Sequence, residues 1–157
     1  MSTVWKKGRG KLGFLQPLLG SWEASADSPL GLVHCVRTFE RVLGGNYIQL
    51  TARWEYPTVE GAETRKPYEE LSIIGAAEDG QVTFWSFTSD GKRSVGKLAD
   101  VSDLRQDAFG FEAEMPAGLA RMAYWPAEAE DEGFIWVVEA RNAKGWNRFL
   151  THQYTRI

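Results

Sequence analysis

The sequence predicts an all-β domain, a ten-stranded up-and-down antiparallel β-barrel with a short N-terminal helical plug. Three observations lead there. Two Asp-Gly pairs, Asp79-Gly80 and Asp90-Gly91, separate runs rich in β-branched and aromatic residues, and Asp-Gly favours the positive φ angles of tight hairpin turns. The run between them, 81–89, carries Val82 and Phe84 on one face and Trp85 and Phe87 on the other, so both faces need shelter from water. No stretch reads as a long helix, and closure removes the exposed edges that an open meander would leave.

Taken in order, Leu12, Phe14, Leu15, Leu18 and Leu19 cluster ahead of Gly20, and Pro17 limits any helix there to a turn or two, suited to plugging one end of a barrel. In the first strand, GSWEASAD, Trp22, Ala24 and Ala26 share one face. A turn at 28–31 leads to a second strand over 33–43. Gly44-Gly45-Asn46 then turns the chain into a third over 47–56, where Ile48, Leu50, Ala52 and Trp54 alternate with polar neighbours. The charged, proline-bounded stretch 57–67 predicts a mobile loop at the barrel mouth. Residues 68–103 supply the three-stranded meander, and 107–114 with 119–125 form a hairpin turned at 115–118. The acidic connection 126–133 reads as solvated, and 134–141 with 146–157 make the last hairpin.

A chain of 157 residues makes one domain with a real core, residues 1–10 being loose. At a net charge of −3, with lysines and arginines interspersed among acids, there is no electrostatic footprint for nucleic acid. Cys35 stands alone, which excludes an internal disulfide and a Cys-based zinc site. No apolar run has membrane length and the N-terminal residues carry no signal pattern, so a soluble, cytoplasmic protein without a membrane partner is expected.

Two histidines, His34 and His152, without patterned carboxylates make a poor metal site, and no standard catalytic or phosphate-binding motif occurs. No metal, cofactor or catalytic set is therefore expected. The strand arginines Arg37, Arg53, Arg121 and Arg148 point outward by default, because an inward guanidinium must be paired or solvated. Arg121, in phase with Ala123 and Trp125, and Arg148, in phase with Leu150, His152 and Tyr154, are the two expected to turn inward. Seven tryptophans are heavy usage for a small barrel, and Trp54, Trp85 and Trp136 are the expected walls of a pocket.

The run Leu19-Gly20-Ser21-Trp22, following a short plug and opening a ten-stranded meander, resembles the calycin superfamily of lipocalins, fatty-acid-binding proteins and nitrobindins. RTFERVLGGNYI at 37–48, YEELSIIG at 68–75 and QYTRI at 153–157 extend the likeness to a family of bacterial lipocalin-like proteins, which implies a fold but no reaction. The resemblance implies that Trp22 packs near a basic residue of the last strand, Arg148 or Arg156. Nitrobindins carry a haem-ligating histidine on that strand. GSWEASADSP keeps Gly20, Trp22 and Pro29 of their opening motif, but aligning the ends puts Phe149 at the ligand position and His152 on the opposite face, so haem is not expected. Fatty-acid-binding proteins end in Arg-x-Tyr; the matching His152 and Tyr154 would face inward and anchor a ligand's polar end.

The expected function is binding of a small apolar or amphipathic molecule inside the barrel without covalent chemistry. Its acidic or carbonyl end would sit at His152 and Tyr154 with Arg121 and Arg148 near, and its body against Trp54, Trp85 and Trp136. Two other classes stay open. One is a calycin-barrel enzyme acting on an aromatic or carboxylate substrate by acid–base chemistry, which needs an inward carboxylate such as Glu70 or Glu139. The other is an interaction module, and the two-faced strands lean toward a homodimer.

Overall fold

The computed structural model describes residues 5–28, 31–58, 60–61, 64–128 and 133–157. Ten strands form a closed antiparallel barrel: β1 (Gly20–Ser28), β2 (Gly31–Val42), β3 (Tyr47–Glu55), β4 (Tyr68–Ala76), β5 (Val82–Thr88), β6 (Arg93–Ala99), β7 (Phe109–Met115), β8 (Gly118–Pro126), β9 (Phe134–Asn142) and β10 (Gly145–Arg156). Each pairs with its neighbours in sequence, and β10 closes on β1 through Trp22↔Arg156 and Glu23↔Thr155. In place of the expected helical plug there is a six-residue 3₁₀ stretch, Gly13–Leu18, whose Leu15 and Leu18 are fully buried in the main core. No helix among the described residues is long and apolar enough to cross a membrane.

The Asp-Gly hairpins form, but by a different route from the tight turn their dipeptide suggests. Gly80 and Gly91 both have φ of 83°, whereas neither preceding aspartate has a positive φ. Gly80 N donates to Ala77 O at 2.8 Å and Ala77 N to Gln81 O at 2.9 Å, with an equivalent pair between Thr88, Gly91 and Lys92. This is the longer loop in which an ordinary turn is followed by one left-handed glycine. Each aspartate acts through its side chain: Asp79 Oδ1 accepts from Gln81 N at 2.9 Å and Asp90 Oδ1 from Lys92 N at 3.2 Å.

Alternation along the strands sorts residues between two cores. The barrel interior holds Trp22, Phe39, Ile48, Leu50, Tyr124 and Phe134, among others. A second, smaller core lies outside the barrel, where Val101 and Leu104 of the β6–β7 connection cover Ala123 and Trp125 of β8 and Val137 of β9. Toward the N-terminus, residues 1–4 of the stretch expected to be loose lie outside the described residues. The rest of that stretch is tied down: Trp5 packs on Phe109 with ring centroids 5.8 Å apart, and Gly8 N donates to Gly13 O at 2.7 Å. The turn at 28–31, the loop at 57–67 and the acidic connection at 126–133 lie partly outside the described residues, at 29–30, 59, 62–63 and 129–132.

One irregularity decides how the last strand is read. The β9–β10 register runs Arg148↔Glu139 and then Leu150↔Val138, so Phe149 is an extra residue, a β-bulge. The bulge breaks the strict alternation assumed from sequence. Arg148 shares the outer face with Glu139, while Leu150, His152 and Tyr154 face inward with Val138, Trp136 and Phe134. Phe149 is 65% exposed.

Candidate functional site

The inward positions differ between the two ends of the barrel. Where β2 ends and β3 begins, large side chains fill the interior solidly. Toward the opposite end the inward positions are taken by small residues, Ala26, Ser86, Ser94, Gly96, Ala113 and Ala120, and a cavity of about 580 Å³ remains. That volume lies within the roughly 300–1,000 Å³ of small-molecule sites. Its apolar walls include Val33, Tyr68, Phe84, Phe111, Met122 and Val138, and Asp27, Lys92 and Arg93 stand among its charged residues.

Three rings cluster on one side of the cavity. Trp54 lies 5.0 Å from His152 and 5.9 Å from Trp136, and Trp136 lies 5.7 Å from His152, all between ring centroids. Against this cluster lies Arg37, 1% exposed. Its guanidinium carbon is 4.2 Å from the centre of the Trp136 ring and 5.3 Å from that of Tyr154, and Nη1 donates to Tyr124 Oη at 3.2 Å. The remaining nitrogens, Nε and Nη2, are buried without a partner, as are Trp136 Nε1 and His152 Nδ1. Such a concentration of unanswered polar atoms is unusual in a folded interior.

No carboxylate is bonded to Arg37: burial works against its charge, while Tyr154, Tyr124 and, through space, Glu70 act in its favour and raise its pKa. Burial pushes the Tyr124 phenol up to about 12, and it raises Tyr154 and the Cys35 thiol as well, so these groups are uncharged near neutrality. The nearest carboxylate by strand register is Glu70, in one row with Arg37 and Ala52, and its Oε2 accepts from Ser72 Oγ at 2.8 Å. Glu70 makes no ion pair with Arg37. Burial first, and the Arg37 charge second, lower the His152 pKa below its ordinary value, favouring the neutral ring.

The structure brings together Trp54, Trp136 and His152 on the cavity wall. Tyr154 lies deeper: it is fully buried, stacked on Phe134 at 4.9 Å, and its hydroxyl donates to Cys35 Sγ at 3.2 Å. Trp85 belongs to the outer wall, because Phe84 and Ser86 on either side of it face the cavity. Arg121 borders the cavity, but its guanidinium is committed elsewhere. It stands opposite Glu139 on the face that carries Ala123 and Val137, the outer core. There it donates through Nη1 and Nη2 to Asp103 at 2.9 and 2.8 Å and through Nε to Glu139 at 2.9 Å. Arg148 joins this outer cluster through Nε and Glu139 Oε2 at 3.1 Å, turned there by the bulge. Glu139 is thereby an outer-face residue, whereas Glu70 lines the cavity.

Of the two basic residues considered as partners for Trp22, Arg156 takes the place, with its guanidinium carbon 4.1 Å from the Trp22 ring centre. Arg37 is the site residue that the outward default missed. A signal was present: on β2, Val33, Cys35 and Phe39 share its phase, and all three are interior residues. Phe149, the residue aligned with a ligating histidine, points outward, and the histidine on the cavity wall is His152. No group of three or more His, Cys, Asp or Glu side chains capable of holding a metal occurs among the described residues. The molecule is thus a closed barrel with an internal, largely apolar cavity beside a buried cation. Comparison of the sequence with protein-family models and with curated proteins found no match.

Proposed function

We propose that the protein binds a small apolar or amphipathic molecule inside its barrel, without covalent chemistry. The observation that carries this reading is the cavity of about 580 Å³, walled by aromatic and aliphatic side chains and made possible by small residues at inward positions on five strands. A barrel serving only as an interaction module has no use for a hollow interior, since filling it would add burial worth about 25 cal/mol per Å². The acid–base enzyme reading finds less support, because Glu139 is spent on the outer ion cluster and Glu70 has no paired arginine.

We also assign the barrel to the calycin superfamily. The reading is supported by the Gly20-Ser21-Trp22 opening, the Trp22 Nε1 bond to Leu18 O at 2.7 Å and the stacking of Arg156 on Trp22.

The test is titration with the uncharged probe N-phenylnaphthylamine, followed by its fluorescence and by quenching of tryptophan emission. One equivalent is expected to bind. Ala113→Phe, which places a ring in the cavity from a position opposite Ala120, should abolish binding while leaving the far-UV spectrum unchanged. Binding that is non-stoichiometric, or that survives in a folded Ala113→Phe variant, would refute the internal site.

A further inference from the structure

Resting on the internal-binding reading, we propose that the ligand is a carboxylate-bearing amphipath, and that Arg37 is the residue that holds its acidic end. The arrangement as it stands is costly. A guanidinium is always charged, and charged side chains are almost never fully buried unless paired. Arg37 is 1% exposed and spends one nitrogen on a neutral phenol, leaving two others with nothing to donate to.

The identity of those two nitrogens selects the ligand. Nε and Nη2 form one edge of the guanidinium, from which two N–H groups run parallel, and this edge matches the two oxygens of a carboxylate. Arg121 provides the internal contrast, since its Nε and both Nη atoms are already on Glu139 and Asp103. Two further buried atoms without a partner belong to the same cluster of rings, Trp136 Nε1, always a donor, on the ring over which the Arg37 guanidinium lies, and His152 Nδ1, a donor in one tautomer, on the ring next to it. Both residues also line the cavity, and one of them, Trp136, offers the cation its ring while facing the space for a ligand's apolar body. Arg37 itself lies behind this lining, so a head group reaches it through a side-chain rearrangement of the kind binding commonly requires.

Glu70 completes the prediction. It lines the cavity in the same cross-strand row as Arg37 and acts on it through space without pairing, so a carboxylate bound at Arg37 is repelled by it. Removing its charge should therefore tighten acid binding, and the gain should be lost in the double variant with Arg37→Met if the acid sits on Arg37.

The experiment is calorimetric titration of the full chain with decanoate and with decanol, which share a tail and differ in the head group. Wild-type protein should prefer the acid. Arg37→Met, matched in length and apolar, should weaken decanoate by about ten- to hundredfold and leave decanol unchanged. Glu70→Gln should strengthen decanoate alone. Equal affinity of wild type for the two probes, or undiminished decanoate binding in Arg37→Met, overturns the assignment while leaving the cavity reading intact. Binding of neither probe overturns both. The wild-type comparison and Glu70→Gln keep the test decisive if Arg37→Met does not fold: decanoate affinity unchanged or reduced in Glu70→Gln counts against the proposal.

Discussion

Arg37 and Arg121 are buried almost equally, at 1% and 4% exposure, and the barrel wall separates their guanidinium environments. Outside, Arg121 is held by Asp103 and Glu139 and stacked 4.1 Å from the Trp146 ring centre. Inside, Arg37 has aromatic faces and a phenol but no carboxylate bonded to it. One molecule thus holds an ion-paired buried cation and one to which no carboxylate is bonded. A satisfied cluster stabilises the wall it belongs to, whereas an unsatisfied cation in a walled interior costs stability that only an incoming group can return.

Stability measurements should separate the two regions by sign. Glu139→Ala removes the acid shared by Arg121 and Arg148 and leaves Arg121 with one largely exposed partner. Breaking a buried pair typically costs about 3–5 kcal/mol, and a loss of about 3 kcal/mol is expected because Asp103 remains. Arg37→Met should instead raise the stability of ligand-free protein by about 1 kcal/mol, since an apolar side chain replaces a buried charge to which no carboxylate is bonded. Urea midpoints at constant m-value decide both. Destabilisation of similar size in the two variants would mean that Arg37 is as well neutralised as Arg121.

The barrel was legible from sequence because its signals are local. Strand alternation at Ile48, Leu50, Ala52 and Trp54, and the glycines after Asp79 and Asp90, need no knowledge of the rest of the chain. The sidedness of charges was less legible. Arg148 was misassigned because one extra residue, Phe149, shifts the phase in mid-strand, and no turn residue or glycine announces it. Trp85 reads from sequence as a pocket wall because a tryptophan suits either face of a strand, and only Phe84 and Ser86 beside it, which face the cavity, decide which. For Arg37 the phase was readable, yet the rule that cations face water outweighed it. That rule fails for Arg37, which lies inside against the rings of Trp136 and Tyr154.

The bulge itself offers a smaller test of which residues belong to which region. Deleting Phe149 should leave Arg148 outside and Leu150, His152 and Tyr154 inside, because the deleted residue is the one without a partner on β9. The expected cost is within about 1 kcal/mol, in the range of surface changes. In a strand without the bulge, the same deletion would turn every later side chain to the wrong face. An unfolded deletion variant would therefore place the irregularity elsewhere, and with it the assignment of Arg148 to the outer cluster.

The smallest expected effect is a pH dependence that reports the field of Arg37 from inside the cavity. His152 lies among Trp54, Trp136 and Tyr154, and of the charged groups across the barrel Arg37 of β2 acts on it, with Glu70 of β4 in the same row as Arg37. Burial chiefly, and Arg37 next, hold its pKa below the ordinary 6.5, so the unfolded chain binds the proton more readily than the folded one. Stability contributed by the neutral ring is then complete above about pH 6.5 and declines as the pH falls below it. Between that point and about pH 5, before most carboxylates titrate, the urea midpoint of wild type should slope downward, and His152→Gln should flatten the slope. Arg37→Met removes the second cause but not the first, so it should leave a shallower slope. Decanoate seated on Arg37 would bring a negative charge beside the ring, raise its proton affinity and flatten the slope without any mutation. A slope that is unaffected by either the ligand or Arg37→Met would mean that the ring does not sense the cation, and that acid and histidine do not meet at one site.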